Sequence, residues 1–104
     1  MTDNVISRNP TTGEVIATYP LQSAAQLEAA LQSSAEAFTT WKATSMEQRV
    51  KVLRQLAEQI RQRQDQLAQM ATLEMGKPIA QARAEVLKCA NLCDWYAEQG
   101  PAIL

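Results

Sequence analysis

Cys89 and Cys93 stand four residues apart near the end of the 104-residue sequence, a pair that in principle supplies two metal ligands or a reactive thiol. Two ligands do not make a zinc site, and an i, i+4 spacing in a continuous helix is a poor disulfide geometry. Neither cysteine lies near a helix start, where a thiol pKa is lowered. Both fall on an apolar stripe, where free cysteine behaves as a small buried hydrophobe, and packing is the reading the residues favour. Histidine is absent, which removes Ser-His and Cys-His catalytic pairs from the chain. Glu74 closes a helix just before Gly76-Lys77-Pro78, a position where the helix dipole disfavours a carboxylate. It is either solvated, salt-bridged or held there by a ligand. Gln81 and Glu85 stand one turn apart on the following helix, where an ordinary polar face accounts for them. Lys77 as an anion contact is weak without a glycine-rich phosphate loop.

The elements that must position these residues are legible in outline. Val5-Ile6 and Glu14 to Tyr19 are short β-prone runs around Asn9-Pro10-Thr11-Thr12-Gly13, where proline presets φ and glycine accepts a positive φ, so a hairpin is predicted. A lone hairpin is marginal in water and needs a further partner. Ser23-Ala24-Ala25-Gln26 and Ser45-Met46-Glu47-Gln48 both fit the capping box, and each predicts a helix start. Leu27, Leu31, Ala35, Phe38 and Trp41 form an apolar stripe on the first helix, which Ala43-Thr44 ends. Val50, Leu53, Leu56, Ala57 and Ile60 form one on the second.

The polar run Arg61 to Gln66 predicts a break, with Asp65 capping a fresh helix that carries Leu67, Met70, Ala71 and Glu74. Arg49, Arg54, Arg61 and Arg63 read as a solvated face partnered by Glu47, Glu58 and Asp65. Gly76 suits a left-handed helix end and Pro78 the first turn of the next helix. That last helix carries Ile79, Ala82, Val86, Cys89, Ala90, Cys93, Tyr96 and Ala97 on one stripe, and Gly100-Pro101 is expected to stop it near Gln99. The apolar Ala102-Ile103-Leu104 suggests a chain cut before its next element.

With 46% hydrophobic but 5% aromatic residues, the composition favours closely packed helices over a sheet sandwich. The fold class expected is mainly α, an N-terminal β-hairpin followed by three to four amphipathic helices in one partial domain. A formal net charge of −1, with basic residues dispersed among acidic ones, argues against nucleic acid as a partner. No run approaches the roughly 18 apolar residues of a membrane span, and no leader pattern opens the chain, so a cytoplasmic location is expected.

Asn9-Pro10-Thr11-Thr12-Gly13-Glu14, an alanine-rich helix ending in Trp41, Arg49 opening a long helix, Glu74-Met75-Gly76-Lys77-Pro78 and Ala84-Glu85-Val86 occur in an order that resembles the opening of an aldehyde dehydrogenase. The similarity runs from about Asn9 through Leu104. Asn91 to Ala102 looks most like bacterial NAD(P)-dependent succinate-semialdehyde dehydrogenases. The resemblance implies the opening part of an α/β fold, the N-terminal portion of the cofactor-binding domain. It further implies an activity in which a cysteine thiolate attacks the aldehyde, hydride passes to NAD or NADP, and a glutamate-activated water hydrolyses the thioester. That nucleophile and general base lie beyond Leu104 in the family, so no catalytic or cofactor-binding residue is assigned and no cofactor is expected for this chain alone.

By the same resemblance, Glu74 with main-chain oxygens around Ser7 and Arg8 would hold a monovalent structural cation, and oxygen ligands suit hard cations. Gln81 and Glu85 would border the substrate tunnel. The expected partner is the remainder of the aldehyde dehydrogenase fold, with an aldehyde substrate only in the complete enzyme, and self-association of the isolated segment. A non-catalytic helical interaction module, or a gene remnant, is the competing reading. Cofactor binding by this chain alone would argue against its being catalytically incomplete.

Overall fold

The computed structural model describes residues 3–104. Strands β1 (Asn4–Arg8) and β2 (Val15–Pro20) pair antiparallel, with Val5 opposite Tyr19, Ser7 opposite Ala17 and an irregularity between Ser7 and Arg8. The turn is built from Asn9. Its Oδ1 accepts the backbone N–H groups of Thr11 and Thr12 at 2.9 and 3.3 Å, and its carbonyl accepts from Gly13 N at 2.8 Å. Gly13 has φ 78°, the left-handed conformation for which glycine has no Cβ penalty.

Four helices follow: α1 (Ala24–Lys42), α2 (Met46–Gln62), α3 (Gln64–Met75) and α4 (Ile79–Ile103). Both predicted capping boxes form. Ser23 Oγ accepts from Gln26 N at 3.2 Å while Gln26 Oε1 accepts from Ser23 N at 2.8 Å. Ser45 and Gln48 repeat the exchange at 3.2 and 3.0 Å. Each box satisfies two backbone donors that a helix N-terminus otherwise leaves without partners. No helix is long and apolar enough to cross a membrane among the described residues.

The break between α2 and α3 falls where the polar run places it, but Asp65 is not the cap. Arg63 is the boundary residue, with φ −101° and ψ 16° and no side-chain cap. Asp65 sits inside the first turn, where its charge still complements the helix dipole. Gly76 ends α3 at φ 73°, as read, and a Cβ there would come within 3.2 Å of Pro10 Cγ, so the same residue lets the hairpin tip approach. Pro78 caps α4 from outside rather than entering its first turn.

The predicted stop at Gly100-Pro101 does not occur. Helix α4 continues to Ile103 with Pro101 inside it. Gly100 tolerates helical φ as well as left-handed φ, and a proline so near the end removes one ladder hydrogen bond while its fixed φ already suits the helix. The Leu104 N–H closes on the Gly100 carbonyl at 2.9 Å.

The buried core consists of alanines. Ala57 on α2, Ala68 on α3, and Ala82, Ala90 and Ala97 on α4 are each 2% exposed or less. Helix α4 packs against both α2 and α3, and small side chains let the backbones approach closely. The larger residues of the predicted α4 stripe fare differently. Val86 and Cys93 are half-buried, while Ile79, Cys89 and Tyr96 are exposed. Exposed Cys89 corrects the expectation that both cysteines pack inside, because the buried line passes through neighbouring Ala90.

Helix α1 has an open apolar face, as the expected self-association of the isolated segment requires. It carries its apolar stripe but buries no residue, and Leu27, Leu31, Phe38 and Trp41 remain 45–62% exposed. The chain exposes 8272 Å², against about 5,800 Å² for a compact monomer of this mass. Its radius of gyration is 18.0 Å, against about 13 Å for a compact domain of this length. The surplus of about 2,500 Å² lies on this chain alone, and counted over both partners it reaches the range of obligate interfaces.

Candidate functional site

The hairpin and the corner between α3 and α4 meet at Glu74. Ser7 Oγ donates to Glu74 Oε1 at 3.2 Å, joining residues 67 positions apart, and Pro10 lies against Gly76 as described. Among the described residues Glu74 has no salt-bridge partner, and the nearby Arg8 guanidinium turns instead to the Gly13 carbonyl, Nη1 to oxygen 3.2 Å. A carboxylate and a hydroxyl thus converge with no cation supplied by a side chain. The Glu74 carboxylate and the Ser7 hydroxyl are both oxygen donors, the kind that hard cations take. No group of three or more His, Cys, Asp or Glu stands together among the described residues.

A second feature lies along the outer face of α4. A groove of about 480 Å³ is lined by Lys77, Gln81, Ala84, Glu85, Lys88, Cys89 and Leu92. Gln81 and Glu85 therefore do share one concave surface, as their spacing requires. Lys77 pairs with Glu85 across the first two turns of the helix, and its side chain is 23% exposed. The sequence left Lys77 without a role; eight residues of separation hid the pairing, which depends on the Gly76 turn folding Lys77 back over α4.

The arginines do not pair as read. Arg61 reaches across to α4, with Nη2 2.6 Å from Asp94 Oδ2 and 2.9 Å from Asn91 Oδ1, and Asp65 pairs with Arg83 at 3.0 Å. These tie α4 to α2 and α3 rather than decorating one helix. Arg49 is the residue that sequence reasoning missed. Its Nη2 donates to the carbonyls of Trp41 and Lys42 at 3.3 and 2.9 Å, its Nε to Thr44 Oγ1 at 3.1 Å, and its guanidinium lies 5.9 Å from the Trp41 ring. A guanidinium at a helix C-terminus satisfies carbonyls that lack partners and complements the dipole. Thus α1, which packs on little else, is held at its end by one side chain of α2.

The hairpin followed by four helices is an arrangement that solved proteins share. The family model described as the aldehyde dehydrogenase family matches residues 2–103. The chain belongs to the aldehyde dehydrogenase family. The Escherichia coli K12 protein named succinate semialdehyde dehydrogenase [NAD(P)+] Sad is 52% identical over 101 residues, covering 97% of this chain and 22% of that protein. A glutarate-semialdehyde dehydrogenase of Pseudomonas putida is 37% identical over 95 residues, covering 91% of this chain and 20% of its own length. The crystal structure of an aldehyde dehydrogenase from Brucella melitensis biovar abortus superposes with a TM-score of 0.89 at 35% identity, over 98% of this chain and 21% of that one. This aldehyde dehydrogenase chain therefore spans about a fifth of the length of the relatives it matches, and it matches their N-terminal part.

Proposed function

We propose that these residues are the N-terminal portion of the cofactor-binding domain of an NAD(P)-dependent succinate-semialdehyde dehydrogenase, and that they are not catalytic alone. The 52% identity to the E. coli succinate semialdehyde dehydrogenase across nearly the whole chain carries this reading. The exposed apolar side chains support it, since Leu27, Leu31 and Phe38 of α1 and Val5, Val15 and Tyr19 of the hairpin lack a partner that the rest of the family fold would supply. NAD or NADP, when bound to the complete enzyme, accepts the hydride. The residues here provide no glycine-rich phosphate cradle, because their three glycines stand far apart at 13, 76 and 100. Their part is to pack and orient: Gln81 and Glu85 border the aldehyde's path, and Glu74 with main-chain oxygens at Ser7 and Arg8 holds a monovalent cation.

A chimera in which residues 1–104 replace the matching segment of E. coli Sad tests the reading. The expected result is NAD(P)-dependent oxidation of succinate semialdehyde by the chimera. The isolated chain should show none, should not bind NADP in calorimetry, and should elute as an oligomer on size exclusion. A folded but inactive chimera would overturn it, as would NADP binding by the isolated chain.

Glu74→Gln in the chimera is expected to remove the thermal stabilisation gained when sodium or potassium replaces choline, and to lower the midpoint by about 2–4 °C, the equivalent of roughly 1 kcal/mol in a domain of moderate size. An equal response to sodium in both proteins would mean that Glu74 is no ligand.

A further inference from the structure

We infer that Lys88 is a specificity-determining residue, an anion-recruiting side chain that favours aldehydes carrying a carboxylate. The inference rests on the proposed function, in which this face of α4 borders the substrate's path. Three charged side chains line the groove: Lys77, Glu85 and Lys88. Glu85 alone would repel an anion, but Lys77 pairs with it. Lys88, three residues on from Glu85 and so on the same helical face, has no carboxylate within salt-bridge distance among the described residues. The groove therefore carries one uncompensated positive charge.

Its remaining wall includes Ala84 and Leu92, apolar surface suited to a short methylene chain. Succinate and glutarate semialdehydes, named in the relatives, are both small aldehydes with a carboxylate at the far end. A positive charge in a concave, partly apolar groove raises the local concentration of such anions, and salt screens the effect.

The test is the ratio of kcat/KM for succinate semialdehyde to that for butanal, which has the same chain length without the carboxylate, measured in the chimera. Lys88→Glu reverses the groove's net charge and is expected to lower the ratio about tenfold at low ionic strength. The loss should shrink to about twofold at roughly 0.5 M salt, where the Debye length is a few ångströms. Lys88→Arg should keep the parent ratio. A ratio that does not change in Lys88→Glu, or one that falls as far in Lys88→Arg, overturns the role of Lys88 and leaves the catalytic reading standing. A parent chimera that oxidises neither aldehyde overturns that reading and this proposal together.

Discussion

Ala90→Leu is expected to destabilise the chimera by about 1–3 kcal/mol, with little soluble protein recovered at the upper end. Ala90 has 0% exposure on the helix that packs against both α2 and α3. Three added carbons at a close helix crossing have nowhere to go without separating the axes. In thermal terms the loss is on the order of 5 °C. Ala80→Leu, on an exposed position of the same helix, should stay within about 0.5 kcal/mol of the parent. Thermal midpoints at one scan rate decide the matter: equal midpoints for the two variants would mean that the alanine core is not the close contact described.

Arg49→Ala should cost about 1.5–3 kcal/mol, because it removes charge-assisted hydrogen bonds that close the end of α1. Lysine should recover less than half of that loss, since one ammonium cannot span two carbonyls and a hydroxyl as a planar fork does. Trypsin reports the local effect. Lys42 sits at the joint with its carbonyl held by Arg49, so cleavage after Lys42 should accelerate in Arg49→Ala ahead of cleavage elsewhere. An unaltered rate at Lys42 would show that α1 is held by other contacts.

Local signals in the sequence led to local structure. Ser23-Gln26 and Ser45-Gln48 predicted two helix starts because a capping box involves four consecutive residues, and Gly76 predicted a helix end because few residues accept its φ. What failed was long-range. Asp65 and Arg61 were matched to neighbours close in sequence, whereas their partners, Arg83 and Asp94, lie 18 and 33 residues away. Gly100-Pro101 read as a stop because both residues disfavour a helix interior, and α4 passes through them two residues from its end.

At the site, the pairing of Gln81 with Glu85 on one face followed from helical spacing alone. The approach of Ser7 to Glu74 did not, since it depends on how the hairpin docks on the α3–α4 corner, and only the family resemblance put those residues together. Arg49 looked like one of several solvated arginines; what distinguishes it is the turn at Ala43-Thr44-Ser45 that brings three acceptors to it.

The exposed face of α1 has a consequence for biosynthesis. In a polypeptide as long as the E. coli relative, of which 101 matched residues are 22%, about 360 residues remain to be made after this segment. Ribosomes add roughly 5–20 residues per second, so in such a polypeptide Leu27, Leu31, Phe38 and Trp41 would precede the last of the remaining residues by about 20–70 s. For that interval the nascent chain presents a helix with its greasy side outward, the kind of surface that chaperones cover and that neighbouring nascent chains can join.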